Sequence, residues 1–133
     1  ILDEIGANDR AVVTSFDDKV IDEFRKFAPT VELSPGRANL VAWFVNKVPI
    51  PYGMRILQIP TAEPAVKFEL NAEFVARARA EGYILWIWPS ESKWENTAGY
   101  TELLRLKVDG IDAANPTEAM TALNSFVAEK SQG

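Results

Sequence analysis

The sequence has 133 residues and a formal net charge of −5, with 47% hydrophobic and 25% charged residues. This is the composition of a globular chain, and its acidic balance disfavours nucleic acids and anionic membrane surfaces, which are bound by clustered Lys and Arg. The chain contains no Cys and no His, which excludes disulfides, thiolate chemistry and any Ser-His or Cys-His nucleophile within it.

The length predicts a single domain over residues 1–133. The chain begins in an apolar pattern, Ile1, Leu2 and Ile5, that is typical of the end of a helix, so we expect further residues to precede it in the intact protein. No apolar run approaches the ~20 residues of a membrane-spanning helix, and we expect no membrane span.

Short apolar runs rich in β-branched and aromatic residues predict five strands, at residues 11–14, 31–33, 55–59, 83–88 and 108–112. The fourth run is apolar throughout, which is typical of a parallel strand covered on both faces. Residues 60–70 predict an irregular stretch, and the polar tail 130–133 a frayed end.

Helical patterns separate these strands. Asp17 and Asn71 are expected to cap the first and third helices, because their side-chain oxygens can accept hydrogen bonds from the first turn. Gly82 occupies a position that suits a left-handed residue after the third helix. A fifth helix is predicted over residues 116–129. The apolar stripes of the first four helices are Val20, Ile21, Phe24 and Phe27; Ala38, Leu40, Val41, Phe44 and Val45; Phe74, Val75 and Ala78; and Tyr100, Leu103, Leu104 and Leu106.

Strand and helix therefore alternate five times, which predicts an α/β fold with a parallel sheet and right-handed crossovers. A small open sheet that binds a nucleotide or a flavin has the same alternation. The chain has no Gly-rich turn between a strand and a helix, which disfavours that alternative.

Four segments resemble the glycerophosphodiester phosphodiesterase family. They are Val12-Val13-Thr14-Ser15-Phe16-Asp17 followed by Ala28-Pro29; Leu57-Gln58-Ile59-Pro60; Phe74-Val75 with Ala78, Gly82 and Trp88; and Val108-Asp109-Gly110-Ile111 with Pro116. The resemblance spans nearly the whole chain in the family's order. It implies a TIM-type (β/α)₈ barrel of ~250 residues, of which this chain would hold about the last five parallel βα units.

The resemblance also implies a function. The family hydrolyses glycerophosphodiesters to an alcohol and glycerol phosphate with a divalent metal, Mg or Ca. Its His-Arg-Gly, Glu-x-Asp, His-Asp and Glu-x-Lys motifs lie in earlier strands and have no counterpart here. We therefore expect this segment to close the barrel and to line the substrate, to bind no cofactor alone, and to be inactive by itself.

The sequence departs from the family's pattern in three places. The usual Trp-Thr-x-Asn is Trp88-Pro89-Ser90-Glu91, the usual Thr-Asp-x-Pro is Ala113-Ala114-Asn115-Pro116, and residues 92–98 are additional. These changes follow strands, where a barrel reads its substrate, so the alcohol part of the phosphodiester is left open.

Three side chains at strand ends are candidate substrate-binding residues. Trp88 and Phe16 offer aromatic walls for a glycerol or alcohol group, although each also suits a barrel core. Gln58 offers an amide for hydrogen bonds to the substrate or to a neighbouring strand. A further hypothesis is that Asp17, Glu91 and Asp112 converge as a site for a hard metal ion.

A non-catalytic alternative also fits the sequence. Five parallel strands that do not close a barrel leave two open edges, which can pair with another chain. The alternative is a half-barrel that binds a partner or forms a homo-oligomer through these edges.

Overall fold

The computed structural model describes all 133 residues of the chain. The chain divides into two compact units, Ile1–Leu57 and Gln58–Gly133. The expectation of a single domain stays a prediction. Both units are built from strands that alternate with helices, so the α/β class predicted from the sequence is confirmed.

The first unit holds β1 (Val12–Val13), α1 (Asp18–Phe27), β2 (Glu32–Leu33) and α2 (Arg37–Asn46). The two strands pair in parallel, with Val12 opposite Glu32 and Val13 opposite Leu33. Ahead of them, the amide of Ile5 donates to the carbonyl of Ile1 over 3.1 Å, and the turn ends at Gly6 with φ of +60°. The expected helix end is therefore a single turn.

Helix α1 begins as predicted, because the side chain of Asp17 accepts a hydrogen bond of 2.9 Å from the amide of Lys19. Only part of the apolar stripe of α1 is buried. Ile21 is buried, whereas Val20 is 52% and Phe27 is 88% exposed. The outer edge of the predicted stripe therefore does not join the core of this unit.

The second unit contains a sheet in the order β3-β6-β7, formed by Ile56–Pro60, Ile84–Trp88 and Gly110–Ile111. Strands β6 and β7 are parallel, with Trp86 opposite Gly110. Strand β3 begins in the first unit and ends in the second. The helices are α3 (Ala72–Ala80), α4 (Thr97–Arg105) and α5 (Pro116–Gln132).

The caps and the core of α3 follow the prediction. The side chain of Asn71 accepts a hydrogen bond of 2.9 Å from the amide of Phe74, and Gly82 has φ of +85°. Phe74, Val75 and Ala78 are buried. The local sequence signals were sufficient here because each contact spans only one or two helical turns.

Two regions differ from the expectation. The stretch after β3 is not irregular, since β4 (Ala62–Glu63) and β5 (Phe68–Glu69) pair as an antiparallel hairpin. Helix α5 continues to Gln132, so the tail predicted to fray is helical.

No helix of the chain combines the length and the apolar composition that crossing a membrane requires. The exposed side of α5 is nevertheless apolar in part, because Met120, Leu123 and Val127 are 53%, 38% and 54% exposed. At 3.6 residues per turn these three side chains share one face. We call this the α5 stripe.

Candidate functional site

The most distinctive surface of the second unit is one face of its three-stranded sheet. Trp88 is the last residue of β6 and is half-buried. Side chains alternate between the two faces of a strand, so Trp86 lies on the same face as Trp88, and Leu85 and Ile87 lie on the other. Leu85 and Ile87 are fully buried, so the two faces differ: one is core and the other carries two tryptophans.

Trp86 lies over a glycine of the neighbouring strand. Gly110 is its register partner in β7. A Cβ atom added to Gly110 would be 2.8 Å from Cδ1 and 3.2 Å from Cγ and Nε1 of Trp86. The indole therefore occupies the space above the backbone of β7, and any side chain at position 110 would displace it.

Gln58 is the third of the five residues of β3 and is half-buried. Its chain neighbours Leu57 and Ile59 are buried on the opposite face. Strand β3 lies beside β6, and the fully buried residues of the two strands belong to the face that forms the core. Gln58 therefore lies on the tryptophan face. It is in the middle of β3, whereas the sequence predicted it at the end of the strand.

Phe16 belongs to the first unit, two residues before α1. Its side chain is 74% exposed, so the interpretation of Phe16 as a core residue is wrong. The backbone around it is fixed, since its carbonyl accepts a hydrogen bond of 2.9 Å from the amide of Arg37.

A hydroxyl pair anchors the loop after β6. Thr61 Oγ1 lies 3.1 Å from Ser90 Oγ, and the amide of Ser90 donates to Thr61 Oγ1 over 3.0 Å. Ser90 Oγ also accepts from the amide of Ala62 at 3.1 Å. Thr61 is 2% exposed, so the residues that follow β3 and β6 are held together by shielded hydrogen bonds.

A second network joins residues 92–98 to residues 113–116. The buried hydroxyl of Tyr100 donates to Glu95. Glu95 also accepts from the amide of Ala114 over 3.0 Å, and the Tyr100 oxygen accepts from the amide of Asn115 over 3.1 Å. Burial, followed by the hydrogen bond to Glu95, raises the pKa of Tyr100 above its usual value of 10.0.

Trp86, Glu95 and Tyr100 were not among the site residues predicted from the sequence, although Tyr100 was predicted on the apolar stripe of the fourth helix. Trp86 had a usable signal, because it stands two residues before Trp88 and so shares its face of a strand. The Glu95–Tyr100 network had no such signal. Its backbone partners, Ala114 and Asn115, lie after β7, and no sequence pattern shows that this loop folds next to α4.

The first unit fixes its loops with a carboxylate. Asp18, the first residue of α1, accepts hydrogen bonds from the amides of Gly36 at 2.8 Å and Asn39 at 3.1 Å. These amides open α2, so Asp18 caps a helix other than its own. Gly36 is required there, because a Cβ atom would lie 2.7 Å from Cγ of Asp18.

The metal hypothesis is wrong. No group of three or more Asp, Glu, His or Cys side chains is placed to hold a metal ion. Asp17 caps α1, and Glu91 pairs with Lys93 over 3.1 Å.

The comparisons with known proteins add no identification. No protein-family model matches the chain, and no curated protein matches it significantly. A function for the chain must therefore be argued from its fold and its side chains.

Proposed function

We propose that this chain is the C-terminal part of a phosphodiesterase barrel of the glycerophosphodiester phosphodiesterase type. The proposal rests on the motif order described above and on one structural observation. Five strands, β1, β2, β3, β6 and β7, alternate with five helices, as the last five βα units of a TIM-type barrel do.

The strand pairing supports this proposal. The parallel strands form two separate sheets, β1-β2 and β3-β6-β7, so β1, β2, β3 and β7 each have one neighbour. Each of these strands leaves one edge with unpaired backbone donors and acceptors, which further pairing in a closed barrel would satisfy.

In this proposal the segment closes the barrel and contacts a small phosphodiester substrate. Trp88 provides an apolar wall and Gln58 an amide that can donate and accept hydrogen bonds. Phe16 provides an exposed ring after β1. The acid, the base and the metal ligands belong to other βα units, because this chain has no His and no carboxylate cluster.

The proposal predicts that the 133-residue chain is inactive by itself. We expect no release of glycerol phosphate from glycerophosphocholine with Mg²⁺ or Ca²⁺, measured by a coupled assay with an active family enzyme as the positive control. Metal-dependent hydrolysis by this chain would contradict the assignment of its chemistry to other βα units.

The reading frame upstream of Ile1 gives a second, independent test. We expect it to encode further βα units that carry the His-Arg-Gly and Glu-x-Asp motifs. A stop codon directly upstream, or an unrelated sequence, would overturn the proposal.

A self-associating half-barrel is the second candidate, and the α5 stripe favours it. The exposed face of α5 combines Met120, Leu123 and Val127 with uncharged polar residues, Thr117, Thr121, Asn124 and Ser131. Of the charged residues of this helix, Glu118 and Glu129 fall on the opposite side at 100° per residue, whereas Lys130 lies beside Leu123 at the edge of the face. Two copies could bury the three apolar side chains and leave the flexible Lys130 at the rim of the contact, in water.

Light scattering separates the two candidates. The half-barrel predicts a native mass that is a multiple of 14.8 kDa, and Leu123→Glu should return it to the monomer. Glu129→Gln, outside the stripe, is the matched control and should leave the mass unchanged. A monomeric wild type would exclude this candidate.

A further inference from the structure

We infer that the tryptophan face of the second unit binds a pyranose sugar ring. The site consists of Trp86 and Trp88 on β6, Gln58 on β3 and Gly110 on β7. We call it the indole platform. The inference rests on this surface alone and therefore survives if the phosphodiesterase proposal fails.

The platform is flat because of Gly110. The Trp86 ring lies against the backbone of β7, with the nearest ring atom 2.8 Å from where a Cβ atom would stand. An indole that lies down on a neighbouring strand presents its π face outward, whereas an upright indole presents its edge. A glycine inside a strand weakens the strand, so its presence under an aromatic ring indicates a requirement for this geometry.

Trp88 extends the same surface along the strand. Residues two apart on a strand are separated by about 7 Å. The two indoles therefore lie side by side on one face and do not stand opposite each other. Side-by-side rings make a wall for a flat ligand, whereas a cage for a quaternary ammonium needs rings on several sides.

A pyranose with equatorial hydroxyls matches this surface chemically. Its axial C–H bonds give each ring face a weakly positive apolar surface, which complements the negative π face of an indole. Its hydroxyls point outward from the ring edge, where an amide such as Gln58 can both donate and accept hydrogen bonds.

The charged groups near the platform can serve a ligand that carries hydroxyls. None of the three strands, Ile56–Pro60, Ile84–Trp88 and Gly110–Ile111, contains an Asp or a Glu. Asp112 follows β7, opposite Trp88 in the continued register, and its side chain is exposed. A carboxylate at this place can accept hydrogen bonds from the hydroxyls of a pyranose. It would attract a cation as well, so choline is the competing probe in the test below.

Saturation-transfer NMR on the purified 133-residue chain tests the inference with three probes: methyl β-D-glucopyranoside, glycerol and choline. We expect transfer to the axial C–H protons of the glucoside, and little to glycerol or choline. An equal signal from glycerol would show that the platform binds apolar surfaces without specificity. A signal from choline alone would show that it binds cations. Either result overturns the inference.

Variants of the platform give the decisive comparison. Trp86→Ala should weaken glucoside binding by ~tenfold, since it removes one stacking contact. Gly110→Ala should weaken it as well by lifting the indole. Trp94→Phe, in the loop after β6 and outside the sheet, is the matched control and should bind like the wild type.

Unfolding could imitate a loss of binding, so each variant is first compared with the wild type by circular dichroism. If Gly110→Ala does not fold, Gln58→Leu replaces it, because Leu keeps the volume and removes the hydrogen-bonding amide. A folded Trp86→Ala protein that binds the glucoside as tightly as the wild type would overturn the inference.

Discussion

The two units fix the loops that follow their parallel strands in different ways. In the first unit, a single carboxylate, Asp18, bonds to the backbone amides that open the next helix. In the second unit, side chains from the loops and from α4 bond to each other and to backbone amides, through Thr61 with Ser90 and through Glu95 with Tyr100. Both supports join distant parts of the chain, since Asp18 lies 18 and 21 residues from its two amides and Thr61 lies 29 residues from Ser90. They differ in that the first unit relies on one charged acceptor, whereas the second distributes its hydrogen bonds over several side chains.

The tryptophan face belongs to the second unit, whose strand β6 ends at Trp88 and leads into the loop that Ser90 anchors. Each prediction below changes one residue that fixes a loop or a helix of one unit, and measures the loss of stability.

The largest effects are expected at glycines that touch backbone. A Cβ atom on Gly99 would lie 2.6 Å from Cα of Trp94, and backbone cannot move aside as a side-chain end can. We expect Gly99→Ala to lower the free energy of unfolding by about 3 kcal/mol, measured by urea denaturation. Gly82→Asn is the control, because nothing lies within 4 Å of its Cβ position and Asn tolerates its positive φ.

Loss of the carboxylate cap should have an intermediate effect. Asp18→Ala removes the acceptor for two backbone amides of α2, and we expect a loss of about 2 kcal/mol. Asp18→Asn keeps one acceptor oxygen and should lose less. Urea denaturation followed by far-UV circular dichroism measures the loss. Equal losses in the two variants would mean that the charge of Asp18, and not its hydrogen bonds, stabilises α2.

The smallest effect is expected at Tyr100 near neutral pH. Tyr100→Phe removes the hydroxyl that bonds to Glu95 and Asn115, at a cost of about 1 kcal/mol. Because the folded-state pKa of Tyr100 is raised above 10.0, the folded protein holds this proton more tightly than the unfolded chain. The stability is therefore fully present below pH 10.0 and falls as the pH rises through the folded-state pKa.

Urea denaturation between pH 8 and 11 measures this dependence. The wild type should lose stability above pH 10.0, and Tyr100→Phe should lose less over the same range. Tyr52→Phe is the matched control, because Tyr52 is 57% exposed. If Tyr100→Phe and the wild type have the same pH dependence, the buried hydroxyl does not determine it.

The sequence was sufficient for the features that depend on neighbours along the chain. The five strands of the alternation, the caps Asp17 and Asn71 and the turn at Gly82 were all predicted, because each depends on residues a few positions apart. The β4–β5 hairpin was missed, since strands of two residues are too short to show an alternating pattern.

The candidate site was predicted only in part, for the same physical reason. Trp88 and Gln58 were identified as strand residues, but the pairing of Trp86 with Gly110 depends on the register of two strands. That register is set by packing between residues 24 positions apart in the chain and leaves no signal in either segment alone. Phe16 was identified by its position, and its exposure could not be predicted because it depends on what packs beside it.

The face of α5 that carries the α5 stripe also affects how the protein behaves in concentrated solution. At neutral pH the net charge of −5 makes copies repel each other and opposes contact between these faces. Near the isoelectric point of about 4.8 this repulsion vanishes while the apolar side chains remain. The solubility minimum of the protein should therefore be deep at mildly acidic pH, and crystals or precipitates grown there should bury the α5 stripe.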